Sequence, residues 1–230
     1  MTNLDDLKKA AAEKAIETIQ SGMVLGLGTG STVKYTIIRL GELLRAGVLS
    51  DIVGVPTSES TVALARQVQI PLATLDEQPV IDLAIDGADE VAPNLDLIKG
   101  MGGALLREKM IELAATMFVV VVDGSKLVDR LGTHSPLPIE VVQYGWRTQA
   151  RWLEHLGCMP ELRGGEEQPY VTDNGNYILH CTFPNGIDDP QALAATLHAR
   201  TGIVGHGLFL GMANEVIVAD AGGIRSMTSN

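Results

Sequence analysis

The chain has 230 residues, 46% hydrophobic but only 4% aromatic, enough material for a sizeable core built mainly from Val, Ile, Leu and Ala. Its formal net charge of −11, from 28 acidic and 17 basic residues with no Lys/Arg block, repels phosphate backbones and argues against a nucleic-acid partner. The charged N-terminus lacks a signal-peptide core, the longest dense apolar run (Met117 to Val122) is too short to span a bilayer, and Cys158 and Cys181 allow at most one bridge. A cytoplasmic, reduced setting without a membrane role is therefore expected. Any anionic ligand must be held locally, by backbone N–H groups and a few placed lysines.

Leu4, Leu7, Ala11, Ala15 and Ile19 recur at helical steps, which predicts an amphipathic helix over the first twenty residues. A strand over Met23 to Leu27 then runs into Gly28-Thr29-Gly30-Ser31-Thr32, followed by a helix from Val33 to Leu44. The unit repeats: a strand at Ile52 to Val55, a capping Pro56-Thr57-Ser58-Glu59-Ser60, and a helix through Val68. Val80 to Ile85 reads as a strand ending at Asp86-Gly87-Ala88-Asp89-Glu90. Leu95 to Lys99 reads as a short strand leading into Gly100-Met101-Gly102-Gly103 and a helix from Ala104 to Met117. Phe118 to Val122 is a β-branched strand ending at Asp123. This alternation predicts an α/β fold with a mostly parallel, doubly wound, Rossmann-like sheet.

After residue 132 the pattern changes. Pro136, Pro138 and Pro160 punctuate it, Asn174-Gly175 between Val171 and Tyr177 signals a hairpin, and Pro190 to Arg200 reads as a helix. The expectation is a small α+β insert over 133–206, with 1–132 and 207–230 forming the α/β part and Glu215 to Ala219 returning to its sheet as a strand.

Four segments carry residues suited to chemistry, each at the carboxyl end of an expected strand, where open parallel sheets bind ligands. Gly26-Leu27-Gly28-Thr29-Gly30-Ser31-Thr32 offers backbone N–H groups and a helix N-terminus to an anion. It is neither a P-loop nor a dinucleotide fingerprint, and the alternative reading is a tight turn with a Ser/Thr cap. Asp86-Gly87-Ala88-Asp89-Glu90 crowds three acids, which suits proton handling but also an exposed turn or an oxygen-ligand metal site. In Lys99-Gly100-Met101-Gly102-Gly103-Ala104-Leu105-Leu106-Arg107-Glu108-Lys109, Lys99 is suited to stabilising an oxyanion, while Glu108 is either a base or one charge on a solvated helix face. Asp123-Gly124-Ser125-Lys126 adds a lysine that is either a ligand contact or solvated. The five histidines show no metal-ligand spacing, and no nucleophile elbow is present. No metal is expected. The inventory fits proton transfer beside a carbonyl.

GLGTGST, DGADE, KGMGGALLREK and DGSK, in this order, together with PLPIEV and VTDNGN, resemble ribose-5-phosphate isomerase of the A type over essentially the whole chain. The resemblance implies an aldose–ketose isomerase that interconverts ribose 5-phosphate and ribulose 5-phosphate through an enediolate, in the non-oxidative pentose phosphate pathway. It implies no cofactor, and a homodimer or homotetramer with the small domain at its interface. By the same resemblance Glu108 is the proton acceptor and Lys99 stabilises the oxyanion. Asp86 and Asp89 hold sugar hydroxyls and assist ring opening. Thr29, Gly30, Ser31, Thr32, Gly87, Ala88, Gly100, Met101, Gly102 and Lys126 contact substrate.

Three other readings are weighed. A sugar-phosphate sensor predicts an attached DNA-binding module and leaves Glu108 with Lys99 unexplained. A coenzyme A transferase predicts a covalent thioester on a carboxylate. A dinucleotide-dependent oxidoreductase requires a fingerprint that is not met.

Overall fold

A computed structural model describes residues 4–228. In chain order its elements are α1 (Leu4–Ile16), β1 (Val24–Leu27), α2 (Val33–Arg45), β2 (Val53–Pro56), α3 (Glu59–Gln67), β3 (Ile81–Asp86), β4 (Glu90–Val91), β5 (Leu97–Ile98), α4 (Leu105–Leu113) and β6 (Ala115–Asp123). There follow β7 (Leu137–Val141), α5 (Trp146–Glu154), β8 (Met159–Leu162), β9 (Tyr177–Thr182), α6 (Pro190–His198), β10 (Ile203–His206), β11 (Leu208–Phe209), β12 (Glu215–Asp220) and β13 (Gly223–Thr228). The chain divides into two compact units, residues 4–88, 107–126 and 212–228 in one, Asp89–Leu106 and Leu127–Gly211 in the other.

The first unit is built on a six-stranded sheet of order β13-β12-β6-β3-β1-β2. All neighbouring pairs are parallel except the β12–β13 edge, as the alternating pattern predicts. Four consecutive valines, Val119 to Val122, are all at most 1% exposed, the signature of a strand covered on both faces. One face packs Leu25, Leu27, Leu83, Ile85, Val119, Val121 and Ile217 with Ala11 and Ala15 of α1 and Ile37 and Leu40 of α2. Val55, Ile81 and Ile111 form a smaller cluster. Local chemistry starts the helices. Asp5 and Asp6 lie in the first turn of α1 and Lys14 in its last, matching the helix dipole. Ser58 caps α3 by accepting from Thr61 N at 3.1 Å, as expected. Because the strands are parallel, Gly28, Thr57, Asp86 and Asp123 all follow or end strands at one edge.

The second unit holds an antiparallel sheet of order β10-β7-β9-β8 and a three-stranded one of order β11-β5-β4. Leu137, Ile139, Val141, Leu179 and Cys181 form its core with Leu153 of α5 and Leu197 of α6. Pro138, Glu140, Ile178 and His180 lie between these positions in the β7–β9 register and so occupy the opposite face. Asp189 caps α6 by accepting from Ala192 N at 2.9 Å, with Pro190 in the first turn. The expected insert, 133–206, lies inside this unit. The unit also takes in Asp89–Leu106, because Leu208 and Phe209 pair with Ile98 and Leu97, and Lys99 N donates to Gly207 O at 2.9 Å.

Several boundaries move for identifiable reasons. The helix expected to reach Met117 stops at Leu113, since Ala115 and Met117 pair with Ile81 and Leu83 and lengthen β6. The Asn174-Gly175 turn forms, with Gly175 at φ +79° and Thr172 N donating to Asn176 O at 2.9 Å. Its hairpin reduces to a single bridge, Val171 to Tyr177, because β9 takes β7 and β8 as neighbours. β13 begins at Gly223 as an edge strand that the apolar pattern does not announce. Cys158 and Cys181 are unbridged and buried. A hydrogen bond between the two thiols pulls Cys158 below the ordinary thiol value and raises Cys181.

Candidate active site

The first glycine-rich segment turns at the end of β1. Gly28 N donates to Ile85 O at 3.0 Å, which places Gly28 against the end of β3. A methyl group at Gly28 would overlap the Asp86 carboxyl, so only glycine lets that carboxylate approach. Asp86, 1% exposed, accepts through Oδ1 from Thr29 N at 3.0 Å and Gly87 N at 2.6 Å. Thr29 Oγ1 lies 2.7 Å from both Thr57 Oγ1 and Ser58 Oγ, and 3.0 Å from Thr61 Oγ1. Thr61 Oγ1 in turn donates to Gly28 O at 2.8 Å. Thr57 and Thr61 were not singled out from sequence. Their signal is the hydroxyl-rich PTSEST run at the end of β2.

Gly30 has φ +137°, a conformation suited to glycine, and leads into α2. Ser31 is exposed and Thr32 buried. Thr32 makes no side-chain cap bond, so the capping alternative does not explain it. The helix N-terminus and its backbone N–H groups are the features of this loop suited to an anion. Gly87 and Ala88 are half-buried. A methyl at Gly87 would meet nothing closer than 3.8 Å.

The second glycine-rich segment belongs to the other unit. Asp89 N donates to Ile98 O at 2.8 Å, and Asp89 Oδ2 accepts from Met101 N at 2.9 Å. Lys99 is 2% exposed, with Nζ 5.5 Å from the centroid of the Phe209 ring. Gly100 and Gly103 have φ of +106° and +93°, and Gly103 N donates to Gly100 O at 2.9 Å, closing a tight turn around Met101 and Gly102. Met101 is half-buried and Gly102 exposed.

Glu108 stands in the first turn of α4 and is 3% exposed, which rules out the solvated-face alternative. The surface charge of this turn is Arg107, paired with Glu59 at 2.9 Å. Beside it, burial pushes the Lys109 ammonium down to about 8, against the opposing pull of Glu112. Lys126 is half-buried at the end of a 3₁₀ turn after β6, where Asp123 Oδ1 accepts from Ser125 N at 3.0 Å and Ser125 Oγ at 2.5 Å.

Glu90, the third acid of DGADE, leaves the acidic group. It is fully buried and accepts from Gly132, His134 and Ser135 N–H groups, each at 2.6 Å. It ties down a loop. Among the described residues, no cluster of three or more His, Cys, Asp or Glu is placed to hold a metal ion, and no helix is long and apolar enough to cross a membrane.

Comparison with known proteins agrees with the architecture. Residues 53–223 match the sequence model of ribose 5-phosphate isomerase A (phosphoriboisomerase A). The chain is 54% identical over 230 residues to a probable ribose-5-phosphate isomerase 3, chloroplastic, of Arabidopsis thaliana, covering 97% of this chain and 83% of that one. It is 50% identical to ribose-5-phosphate isomerase A of Chloroflexus aurantiacus, covering 100% and 96%. Among solved structures, a D-ribose-5-phosphate isomerase in complex with phospho-erythronic acid superposes with a TM-score of 0.96 at 46% identity, covering 99% and 100%. The Methanocaldococcus jannaschii ribose 5-phosphate isomerase A gives 0.92 at 40%, covering 98% and 100%. With full-length identity at this level and the same fold, the chain belongs to the ribose 5-phosphate isomerase A family.

Proposed function

We propose that the chain interconverts ribose 5-phosphate and ribulose 5-phosphate with Glu108 as the proton carrier. Glu108 takes the proton from C2 of the open-chain aldose, and the electron pair shifts to leave negative charge on the C1 oxygen. Return of the proton at C1, with the 2-hydroxyl proton passing to that oxygen, gives the ketose. Lys99 balances the enediolate charge. Asp86 and Asp89 hold hydroxyls and assist ring opening. The turns at Thr29–Thr32 and Gly100–Gly102 hold the substrate through N–H groups, with Gly87, Ala88 and Lys126 as further contacts.

The observation that carries this reading is the burial of Glu108. Burial withdraws this carboxylate from water on the first turn of a helix, unlike the ordinary exposed glutamate. A base sheltered in this way fits proton abstraction beside a carbonyl. The proposal needs no cofactor, so turnover persists in EDTA. It includes a cytoplasmic location and a homodimeric or homotetrameric assembly, which light scattering of the purified chain checks.

The test is solvent-deuterium incorporation into ribose 5-phosphate by wild type and Glu108→Gln side by side. The variant should keep its thermal midpoint and lose turnover and label exchange by at least about 10²–10⁴-fold. Exchange at the wild-type rate would remove Glu108 from the role.

A further inference from the structure

Gly103, which closes the second glycine-rich turn, lies beneath two side chains from far along the same unit. A methyl group there would overlap Tyr170 Oη and come within 2.7 Å of Arg163 Nη1 and Tyr170 Cε1. The Arg163 guanidinium sits 3.8 Å from the Tyr170 ring centroid, a stacked cation–π contact. The backbone locks the pair side by side. Arg163 N donates to Ile178 O at 2.9 Å and Tyr170 N donates to Arg163 O at 2.8 Å. Gly164, at φ +84°, lets the intervening loop pinch, since a methyl on it would overlap Gln168 O and lie 2.8 Å from Tyr170 N.

Arg163 Nη1 is buried and has no hydrogen-bond partner among the described residues. The guanidinium also lowers the proton affinity of His180, a neighbour in this sheet, with burial as the larger cause and Glu161 opposing. Stacking on Tyr170 therefore holds the Arg163 head over Gly103 without help from a bond to that nitrogen. A buried guanidinium nitrogen left without an acceptor costs stability, so the arrangement calls for another reason.

We propose that Arg163 is a positioning residue for the isomerisation. Stacked on Tyr170, it fixes Gly103 and, through the Gly103 N to Gly100 O bond, the turn that carries Met101 and Gly102 and follows Lys99. The proposal rests on the reading above, in which this turn and Lys99 serve the substrate. Its energetic basis is alignment, because a displacement of about 1 Å in a catalytic group can cost about 10²-fold in rate.

Full-length Arg163→Met, Arg163→Lys and Tyr170→Ala are compared with wild type in turnover of ribose 5-phosphate, thermal midpoint and amide hydrogen exchange of residues 99–104. Arg163→Met should keep its thermal midpoint near wild type and show faster exchange at 101–103. Its kcat should fall about 10- to 100-fold while KM moves less than about threefold. Arg163→Lys, which keeps a cation over the ring, should recover most of the loss. A folded Arg163→Met with kcat within about twofold of wild type, or unchanged exchange at 101–103, overturns the proposal. If Arg163→Met does not fold, Tyr170→Ala decides: full kcat overturns the clamp, while slowed turnover with faster exchange supports it. Wild type without turnover would instead sink the isomerase reading and leave the exchange data to judge the clamp.

Discussion

The two glycine-rich segments resemble each other in sequence, and each feeds a helix, yet they are held by different means. The first is wrapped in hydroxyls: Thr29 Oγ1 lies within 3.0 Å of those of Thr57, Ser58 and Thr61. The second is held by backbone bonds and close packing, with Gly103 pressed by Tyr170 and Arg163. One feature is shared. Each segment has a backbone N–H anchored by a different aspartate of the DGADE motif, Thr29 N by Asp86 and Met101 N by Asp89. These aspartates therefore have a structural duty beside any contact with sugar hydroxyls. A buried carboxylate oxygen receiving backbone N–H groups is a strong anchor, and removing it strands the donors.

The largest way to separate the two segments is through Lys99, which only the second possesses. Lys99→Met should lower kcat about 10²–10³-fold, the usual cost of losing an oxyanion contact. The KM for ribose 5-phosphate should change far less. A rise in KM alone would reassign Lys99 to ground-state binding.

Anchoring by Asp86 comes next. Asp86→Ala leaves the Thr29 and Gly87 N–H groups without their acceptor and should destabilise the fold by about 2–4 kcal/mol in urea titrations. Asp86→Asn keeps an acceptor oxygen in place and should retain most of that stability while still losing turnover. Equal stabilities for the two variants would show that the anchor is dispensable.

Gly28 provides a smaller, steric test. Gly28→Ala pushes against the Asp86 carboxyl and should cost about 1–3 kcal/mol, an overpacking penalty. Gly87→Ala has room and should stay within about 0.5 kcal/mol. Similar losses at both positions would contradict the close approach of Asp86 to Gly28.

The smallest effect concerns pH. Burial pushes the Lys109 ammonium down to about 8 from its ordinary 10.5, so between these values the unfolded chain binds more protons. Its contribution to stability therefore grows as pH rises from about 8 toward 10.5 and is flat below that window. Lys109→Met should flatten this part of the stability–pH curve, measured by urea midpoints at fixed ionic strength. An unchanged slope would mean that Lys109 is not held in a desolvated site.

Much of the site was readable from the chain because its signals are local. The glycines that must turn and the hydroxyls beside them lie within the seven residues of GLGTGST, and the acids at a strand end lie within the five of DGADE. The hydroxyl cage was readable only in part: Ser58 was identified as a helix cap, but its convergence with Thr57 and Thr61 on Thr29 requires β1 and β2 to lie side by side. Glu108 shows the opposite limit. Its neighbours Arg107 and Lys109 advertise a solvated face, and nothing in the local pattern says that Glu108 turns inward while Arg107 reaches Glu59.

The amino-acid order alone determined the parallel sheet, the positions of the turns and the set of groups able to bind an anion and move a proton, since hydrophobic period and backbone freedom act over a few residues. Tertiary structure decided the work of each acid. Glu90 and Asp86 stand four residues apart, but Glu90 is saturated by N–H groups 42 to 45 residues away and Asp86 holds one 57 residues earlier. A carboxylate's role follows from the donors that surround it, and those arrive from distant segments only when the chain has closed on itself.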